Sequence, residues 1–371
     1  MNADHLLADL DLPAGARVVV AMSGGVDSSV CAGLLAEAGF DVVGITMQLY
    51  DHGQATGRAG SCCAGRDIRD ARAVADRLGI PHFVLDYEER FRRQVINEFA
   101  AGYAEGRTPI PCVRCNERIK FGDLLDSAQE LGAAALVTGH YVRRLRTSER
   151  TELHRGRDSA KDQSYFLFAT TDAQLSRLRF PLGALTKAET RAHAQRLGLP
   201  VAEKAESQDI CFVPDGDHAS VVTALRPEAG QSGEIVDDAG RVLGRHKGLA
   251  GITVGQRRGL GVAAPERMYV TEIDPVTRRV TIAPRARARM RRALLDRLHL
   301  VGAADGVLPG EVMAKHRYNE PAQPATLRSG PDGRVEVEFR EPQLGIARGQ
   351  ACVLYDGSRL VGGGWIEQAA G

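Results

Sequence analysis

The stretch Val18-Val19-Val20-Ala21-Met22-Ser23-Gly24-Gly25-Val26-Asp27-Ser28-Ser29 decides how this chain folds. An apolar strand stops, a glycine-rich turn follows, and a helix begins. The first turn of such a helix leaves its backbone N–H groups unpaired, and here small hydroxyls share their spot. A phosphate group is the natural occupant. An ordinary strand–turn–helix connection is the blander reading of the same residues.

The kind of phosphate loop is narrowed by what the run lacks. A Walker A loop places a Lys after its last glycine, and none is present. A dinucleotide fingerprint spaces three glycines, whereas Gly24 and Gly25 are adjacent. The run resembles instead the pyrophosphatase-type (PP) loop, Ser-Gly-Gly-x-Asp-Ser. That resemblance implies an enzyme that cleaves ATP between its α and β phosphates and forms an adenylated intermediate. Asp27 is the candidate for holding Mg2+, because hard oxygen ligands and phosphates share that ion.

Outward from the loop, strand and helix signals alternate. Strands are predicted over 17–21, 41–49, 82–85 and 134–138, and helices over 28–38 and 66–78. Alternation of this kind predicts a mostly parallel sheet covered by helices, with ligands beyond the carboxyl ends of its strands. Ser23, Met47 and Gly139-His140 all fall at such ends, which places them around one nucleotide site. The texture changes at Pro214-Asp215-Gly216-Asp217, a breaker cluster. Short strand-like pieces follow at 233–236, 267–270 and 280–283. The stretch 248–261 is too rich in glycine for a long regular helix. Clear alternation at 334–339 and 351–355, with glycine turns between, predicts a small closed β-barrel at the end. The expected units are therefore 1–211, an α/β Rossmann-like nucleotide-binding domain; 212–283, a small mainly β domain; and 284–371, the barrel. The basic stretch 285–292 reads either as a phosphate-contacting segment or as a solvated linker or helix face.

The chain has 371 residues, with 48 Lys and Arg against 47 Asp and Glu. Net charge alone thus points to no nucleic-acid partner, although basic groups can still cluster. No apolar run reaches the ~18 residues of a membrane span. The start Met1-Asn2-Ala3-Asp4-His5 lacks a secretory pattern, so a cytoplasmic protein is expected. In a reducing compartment the seven cysteines do not form a structural disulfide framework. Cys31 and Cys352 fall on apolar patterns and read as packing. Cys62 and Cys63 carry no assigned role. Cys112-Val113-Arg114-Cys115 is a C-x-x-C, able to form a disulfide or bind a soft metal. Cys211 lies in Ser207-Gln208-Asp209-Ile210-Cys211-Phe212, where Lys204 is a candidate to tune its ionisation.

Together the motifs resemble the tRNA-specific 2-thiouridylase family over almost the whole chain. They run in order: 21–29, Gly44-Ile45-Thr46-Met47, Cys115-Asn116 with Ile119-Lys120-Phe121, and Thr138-Gly139-His140-Tyr141. Further on come Lys161-Asp162-Gln163-Ser164-Tyr165-Phe166-Leu167, Phe180-Pro181-Leu182-Gly183, 207–212, and Gly255-Gln256-Arg257-Arg258-Gly259-Leu260. The resemblance implies ATP-dependent 2-thiolation of the wobble uridine, position 34, of tRNA. ATP adenylates the C2 oxygen, Cys211 carries a persulfide, and Cys115 releases the sulfur by forming a disulfide with Cys211. The implied ATP contacts are Ala21, Met22, Ser23, Gly24, Gly25, Val26, Asp27, Ser28, Met47 and Gly139. The implied tRNA contacts are His140, Lys161, Asp162, Gln163, Arg317, Tyr318 and Gln350, and Ile110, Pro111 and Cys112 form the segment facing the target base. A monomer is expected, with tRNAs for Lys, Glu and Gln as acceptors and a cysteine desulfurase or a sulfur-relay protein as donor.

One departure from the family matters. Its pattern is Asn-Pro-Asp-x-x-Cys-Asn, whereas this chain has Ile110-Pro111-Cys112-x-x-Cys115-Asn116. The extra thiol opens an alternative in which Cys112, Cys115 and Cys211 ligate a [4Fe-4S] cluster, since thiolates suit such clusters. Two other readings stand beside it: an ATP-adenylating ligase for a small molecule, and a non-catalytic tRNA-binding module. Neither has a use for the paired thiols.

Overall fold

The Val18–Val20 run builds the centre of a five-stranded parallel sheet. The computed structural model describes residues 10–50, 63–206, 209–213, 216–302 and 308–371. Strand β1 (Arg17–Ala21) leads into helix α1 (Val26–Glu37), then β2 (Asp41–Gln48), α2 (Cys63–Leu78) and β3 (His82–Asp86). Two long helices follow, α3 over 88–104 and α4 over 111–130, and then β4 (Ala135–Val137). The sheet order is β3-β2-β1-β4-β7, where β7 is the short strand Leu178–Arg179, and every pairing is parallel. Placed between two neighbours, Val18, Val19 and Val20 are wholly buried, as a central parallel strand requires. Helix α1 is buried on nearly all sides, with Val30, Cys31 and Leu34 fully enclosed.

Both α3 and α4 carry a π-helical interruption, at Arg92–Ile96 and at Cys115–Asp123. Their α-helical period is broken where they face each other, and such interruptions mark functional sites. The sequence reading contained no hint of them.

Between β4 and β7 the chain makes a hairpin, β5 (Val142–Arg146) with β6 (Thr151–Arg155), and a short helix α5 (Asp172–Arg177). After β7 come α6 (Lys187–Arg196) and α7 (His218–Leu225). The central β unit has the order β10-β11-β8-β9, from β8 (Gly233–Asp237), β9 (Val242–His246), β10 (Met268–Asp274) and β11 (Arg279–Pro284). The last part is a closed barrel of six strands: β12 (Arg289–Leu300), β13 (Glu311–Lys315), β14 (Gln323–Ser329), β15 (Val335–Leu344), β16 (Ala351–Asp356) and β17 (Arg359–Ala370). The β12–β17 pairing closes it.

The 285–292 stretch is neither a free linker nor a helix face, because it turns and enters β12. Arg289 Nε donates to the Pro342 carbonyl at 2.8 Å, and Arg292 donates to that of Gly371 at 3.0 Å. The β5–β6 hairpin joins the barrel by pairing His154 with Arg359 of β17. The first domain and the barrel also share one core, in which Val142, Leu153, Tyr165 and Phe168 pack with Ala351, Val353, Tyr355 and Leu360. Phe212 packs edge-on against Phe91 and Phe99 of α3, at 5.7 and 5.3 Å between ring centres. Cys31 and Cys352 are buried packing residues as expected. Cys62, Ser207, Gln208, Pro214 and Asp215 lie outside the described residues. Among the described residues no helix is long and apolar enough to cross a membrane.

Candidate active site

The glycine-rich loop sits at the carboxyl end of β1, between the ends of β2 and β4. The Met22 N–H donates to Ile45 O at 2.8 Å, tying the loop's start to β2. Ser23 N–H then donates to Ser28 Oγ at 3.1 Å, folding the loop back over the start of α1. Gly24 has φ +70°, and the Asp67 backbone of α2 fills the place a side chain would take. Lys204 pins this arrangement by donating to the Gly24 carbonyl at 2.9 Å while pairing with Asp67 at 2.7 Å and with Asp70. Its charge therefore serves the loop, not Cys211 as the sequence suggested. From the β4 side, a Cβ on Gly139 would come within 2.9 Å of Ser28 N and 3.0 Å of Asp27 Cβ. The loop is thus held in a cradle whose walls are backbone, with the α1 N-terminus pointing into it. An anion fits there by charge and by size.

Asp27 is more tightly engaged than a lone magnesium ligand. Lys187 Nζ, from the first turn of α6, donates to its two oxygens at 2.7 and 2.9 Å. The Tyr141 hydroxyl donates to it at 2.8 Å. Burial and this carboxylate together push the Tyr141 phenol well above its ordinary value. Mg2+ at a nucleotide is held mainly by phosphate oxygens and water with one or two carboxylates. The single carboxylate of Asp27 fits that set once Lys187 turns to the phosphates.

The thiols come together next to this loop. Pro111 opens the first turn of α4, which spans Pro111–Arg114, a position where its missing N–H costs nothing. Cys112 is exposed on that turn and Cys115 is buried at its end. Cys115 packs in one core with Ile119 and Phe212, and Ile210 lies against the same core. The two neighbours of Cys211 thereby share a core with Cys115. Met47, at the end of β2, packs on this core as well as on the core under the sheet.

Cys112 and Cys211 keep accessible surface, yet the protein crowded around their sulfurs outweighs that exposed edge. Burial pushes the Cys112 thiol up to about 11, and the neighbouring Cys115 adds to the rise. Burial likewise raises Cys211, with Cys115 and Cys112 contributing, and it raises Cys115. Lys120 opposes the rise at all three. The three sulfurs lie within electrostatic reach of one another and of one cation. Among the described residues, however, no three His, Cys, Asp or Glu side chains are placed to hold a metal ion. The described residues therefore lend no support to the iron–sulfur reading of Cys112, Cys115 and Cys211, whose thiols are neighbours. Cys115 and Cys211 are both free thiols in this structure.

The residues expected to face tRNA divide into two groups. Lys161 and Tyr318 are at least partly accessible. Lys161 pairs with Glu206 at 2.6 Å, and the Tyr318 ring lies 4.4 Å from that of Phe166. The others do internal work. His140 is only 8% exposed, bonded to Thr138 Oγ1 at 2.7 Å and edge-on to Phe121 and Phe180. Its burial, with Lys120 nearby, holds it well below the usual imidazole range. Asp162 caps the turn that follows by accepting from the Ser164 N–H and Oγ. Gln163 accepts from the Tyr141 N–H at 2.9 Å. Arg317 is wedged between Gly255 and Gly345 and donates to the Val254 carbonyl. Gln350 donates to Thr108 O at 3.0 Å, just ahead of the Ile110-Pro111-Cys112 segment.

Sequence reasoning missed several residues. Lys187 and Tyr141 engage the loop aspartate from distant parts of the chain. Asn116 is 4% exposed and donates to Phe166 O at 3.3 Å, while its Oδ1 has no hydrogen-bond partner. A cleft of about 550 Å3 opens between 155–162 and the barrel, lined by Arg155, Asp162, Lys315 and Tyr318 among others. Arg155 stacks 3.9 Å over the Tyr355 ring, and Lys315 lies 5.2 Å over that of Tyr318. Tyr318 and Phe166 pack on the core that contains Ile110 and Val113, which flank Pro111 and Cys112 in the chain.

A parallel sheet bearing this loop at its carboxyl edge, with two thiols delivered beside it, defines a nucleotide-dependent enzyme of the HUP, PP-loop class. Residues 16–215 match the family model described as tRNA methyl transferase HUP domain. Residues 222–284 match a tRNA methyl transferase PRC-barrel domain, and 290–366 an aminomethyltransferase beta-barrel domain. The chain is 57% identical over 376 residues to the tRNA-specific 2-thiouridylase MnmA of Parvibaculum lavamentivorans, covering 97% of this chain and 94% of that one. It is 58% identical over 355 residues to the protein of the same name from Rhizorhabdus wittichii, covering 95% and 92%. The chain belongs to the tRNA-specific 2-thiouridylase family. The NMN synthetase of Francisella tularensis, a solved structure, aligns with 55% of this chain and 74% of its own at 18% identity and a TM-score of 0.34, too low a likeness to inform function.

Proposed function

We propose that the protein is a tRNA-uridine 2-sulfurtransferase that uses ATP to replace the C2 oxygen of the wobble uridine, position 34, by sulfur. The observation that carries this reading is the meeting of Cys115 with the Cys211 segment in one core that also touches Met47 of the nucleotide cradle. Methyl transfer, the activity in the family-model descriptions, has no use for that pair.

A carbonyl oxygen leaves badly and an adenylate leaves well, so ATP is a substrate that converts one into the other. The cradle of Ala21, Met22, Ser23, Gly24, Gly25, Val26, Asp27 and Ser28, with Met47 and Gly139, holds it. Lys187 is positioned to exchange its bond to Asp27 for one to phosphate, leaving the carboxylate for Mg2+. The terminal sulfur of a persulfide on Cys211 attacks C2 and AMP departs. Cys115 thiolate then attacks the inner sulfur of Cys211. The Cys115–Cys211 disulfide forms, and the outer sulfur stays on the base. Lys120 favours the thiolate forms this sequence needs, against the burial that opposes them.

The basic, aromatic cleft at Arg155, Lys315 and Tyr318 suits a nucleic-acid strand leading to an unstacked base. The unpaired, buried Asn116 Oδ1 beside Cys115 suits the N3–H of uracil. We assign residues 1–211 to nucleotide binding and catalysis, with 212–283 as the connecting unit and 284–371 as the tRNA-contacting barrel. The partners are tRNAs for Lys, Glu and Gln, and a cysteine desulfurase or sulfur-relay protein that loads Cys211. The test is nucleoside mass analysis of tRNA incubated with the protein, Mg-ATP and a persulfide donor. Wild type is expected to form 2-thiouridine, and Cys115→Ser and Cys211→Ser none. Product from Cys211→Ser at the wild-type rate overturns the proposal.

A further inference from the structure

We propose that Cys112 is a third reacting thiol, which resolves the Cys115–Cys211 disulfide left by sulfur transfer and so frees Cys211 to accept new sulfur. This rests on the sulfur-transfer reading above and concerns the thiol that reading leaves unused. Cys112 lies in the helical turn Pro111–Arg114 and Cys115 directly follows it, the C-x-x-C separation that redox disulfides bridge. Cys115 is buried and Cys112 exposed. A reductant from solution thus reaches a disulfide of Cys115 only by way of an exposed partner, Cys112 or Cys211. The residues on either side of Cys211 pack on the core that holds Cys115, so all three sulfurs belong to one neighbourhood. The sensitivity of Cys211 to the charge of both other cysteines agrees with this.

The exchange balances. Cys112 thiolate attacks the Cys115 sulfur of the Cys115–Cys211 disulfide. The Cys112–Cys115 bond forms, the Cys115–Cys211 bond breaks, and Cys211 leaves as a thiolate that takes up a proton. No electrons are gained or lost by the protein. A dithiol reductant then attacks the exposed Cys112 sulfur, and Cys115 leaves as thiolate. The reductant's second thiol frees Cys112, the dithiol supplying two electrons.

The experiment maps which sulfurs are joined. Full-length protein loaded with persulfide from polysulfide is freed of small thiols and given tRNA and Mg-ATP. It is then quenched in acid, alkylated and digested for peptide mass analysis. Wild type is expected to yield 2-thiouridine with a Cys112–Cys115 disulfide and an alkylated Cys211. In Cys112→Ser the disulfide is expected to remain between Cys115 and Cys211. A wild-type sample that contains 2-thiouridine, a Cys115–Cys211 disulfide and alkylated Cys112 overturns the resolving role and leaves the sulfur-transfer reading standing. A wild-type sample with neither 2-thiouridine nor any disulfide overturns both.

Discussion

At Gly139 the site has no room for a side chain. A methyl group there meets the Ser28 N–H at 2.9 Å, on the wall of the phosphate cradle, and the other neighbours are the Asp27 Cβ and carbonyl carbon, which cannot turn aside. Gly139→Ala is therefore expected to weaken ATP binding about tenfold or more, equivalent to at least ~1.4 kcal/mol, with the fold retained. Calorimetric titration with ATP, set beside a circular dichroism spectrum, checks this, and unchanged affinity contradicts the steric reading. Gly24 and Asp27 were legible in the sequence because phosphate loops impose local spacing, and Gly139 because it follows a predicted strand. Lys187 was not, since its partner Asp27 lies 160 residues away and a lysine at a helix start looks like any solvated charge. The packing of His140 with Phe121 and Phe180, and of Arg317 with Gly255 and Gly345, was not legible either, because those neighbours are distant in sequence.

Helix α6 shows how an element's end sets the chemistry of one of its residues. Thr186 and Glu189 form a reciprocal capping box at its start, which fixes the turn from which Lys187 reaches Asp27. Thr186→Ala is expected to cost about 1 kcal/mol, read as a lower urea midpoint. The Glu189 carboxyl, accepting from the Thr186 N–H and hydroxyl, is held down at about 2. A depressed carboxyl stabilises the fold above its ordinary value of about 4.3 and loses that contribution as pH falls toward its folded value. The urea midpoints of wild type and Glu189→Gln are thus expected to differ at pH 6 and to converge toward pH 3. Glu189 is partly exposed, so solvent screening keeps the gap small. The strands and helices around the loop were readable because parallel strands are continuous apolar runs. The π-helical run at Cys115–Asp123 was not, because it keeps ordinary helical composition and differs only in hydrogen-bond register. The β5–β6 hairpin was missed for another reason. Its residues are mostly charged, and its stabilising neighbour is a strand more than two hundred residues on.

Three units were expected from changes in sequence texture, and the structure has three sheets. Tyr165 and Phe168 share a core with Ala351, Val353 and Tyr355, a pairing that local sequence cannot announce. Truncation after Ala283 is expected to expose this apolar face and give protein that is largely insoluble or loses cooperative unfolding, instead of an independent ATP-binding domain. Soluble yield and thermal unfolding of the fragment measure this, and a well-behaved fragment with wild-type ATP affinity contradicts it. The hairpin carries a consequence for how the molecule is made. His154 and Ser358, bonded at 3.0 Å, are 204 residues apart, so one edge of the hairpin emerges from the ribosome long before β17 exists to cover it. At about 5–20 residues per second that wait lasts roughly 10–40 s, during which an uncovered strand edge invites foreign pairing. The arginines and the two glutamates along 142–155 are charges of the kind that blunt a free strand edge, so the nascent chain is guarded by the same residues that hid the hairpin from view.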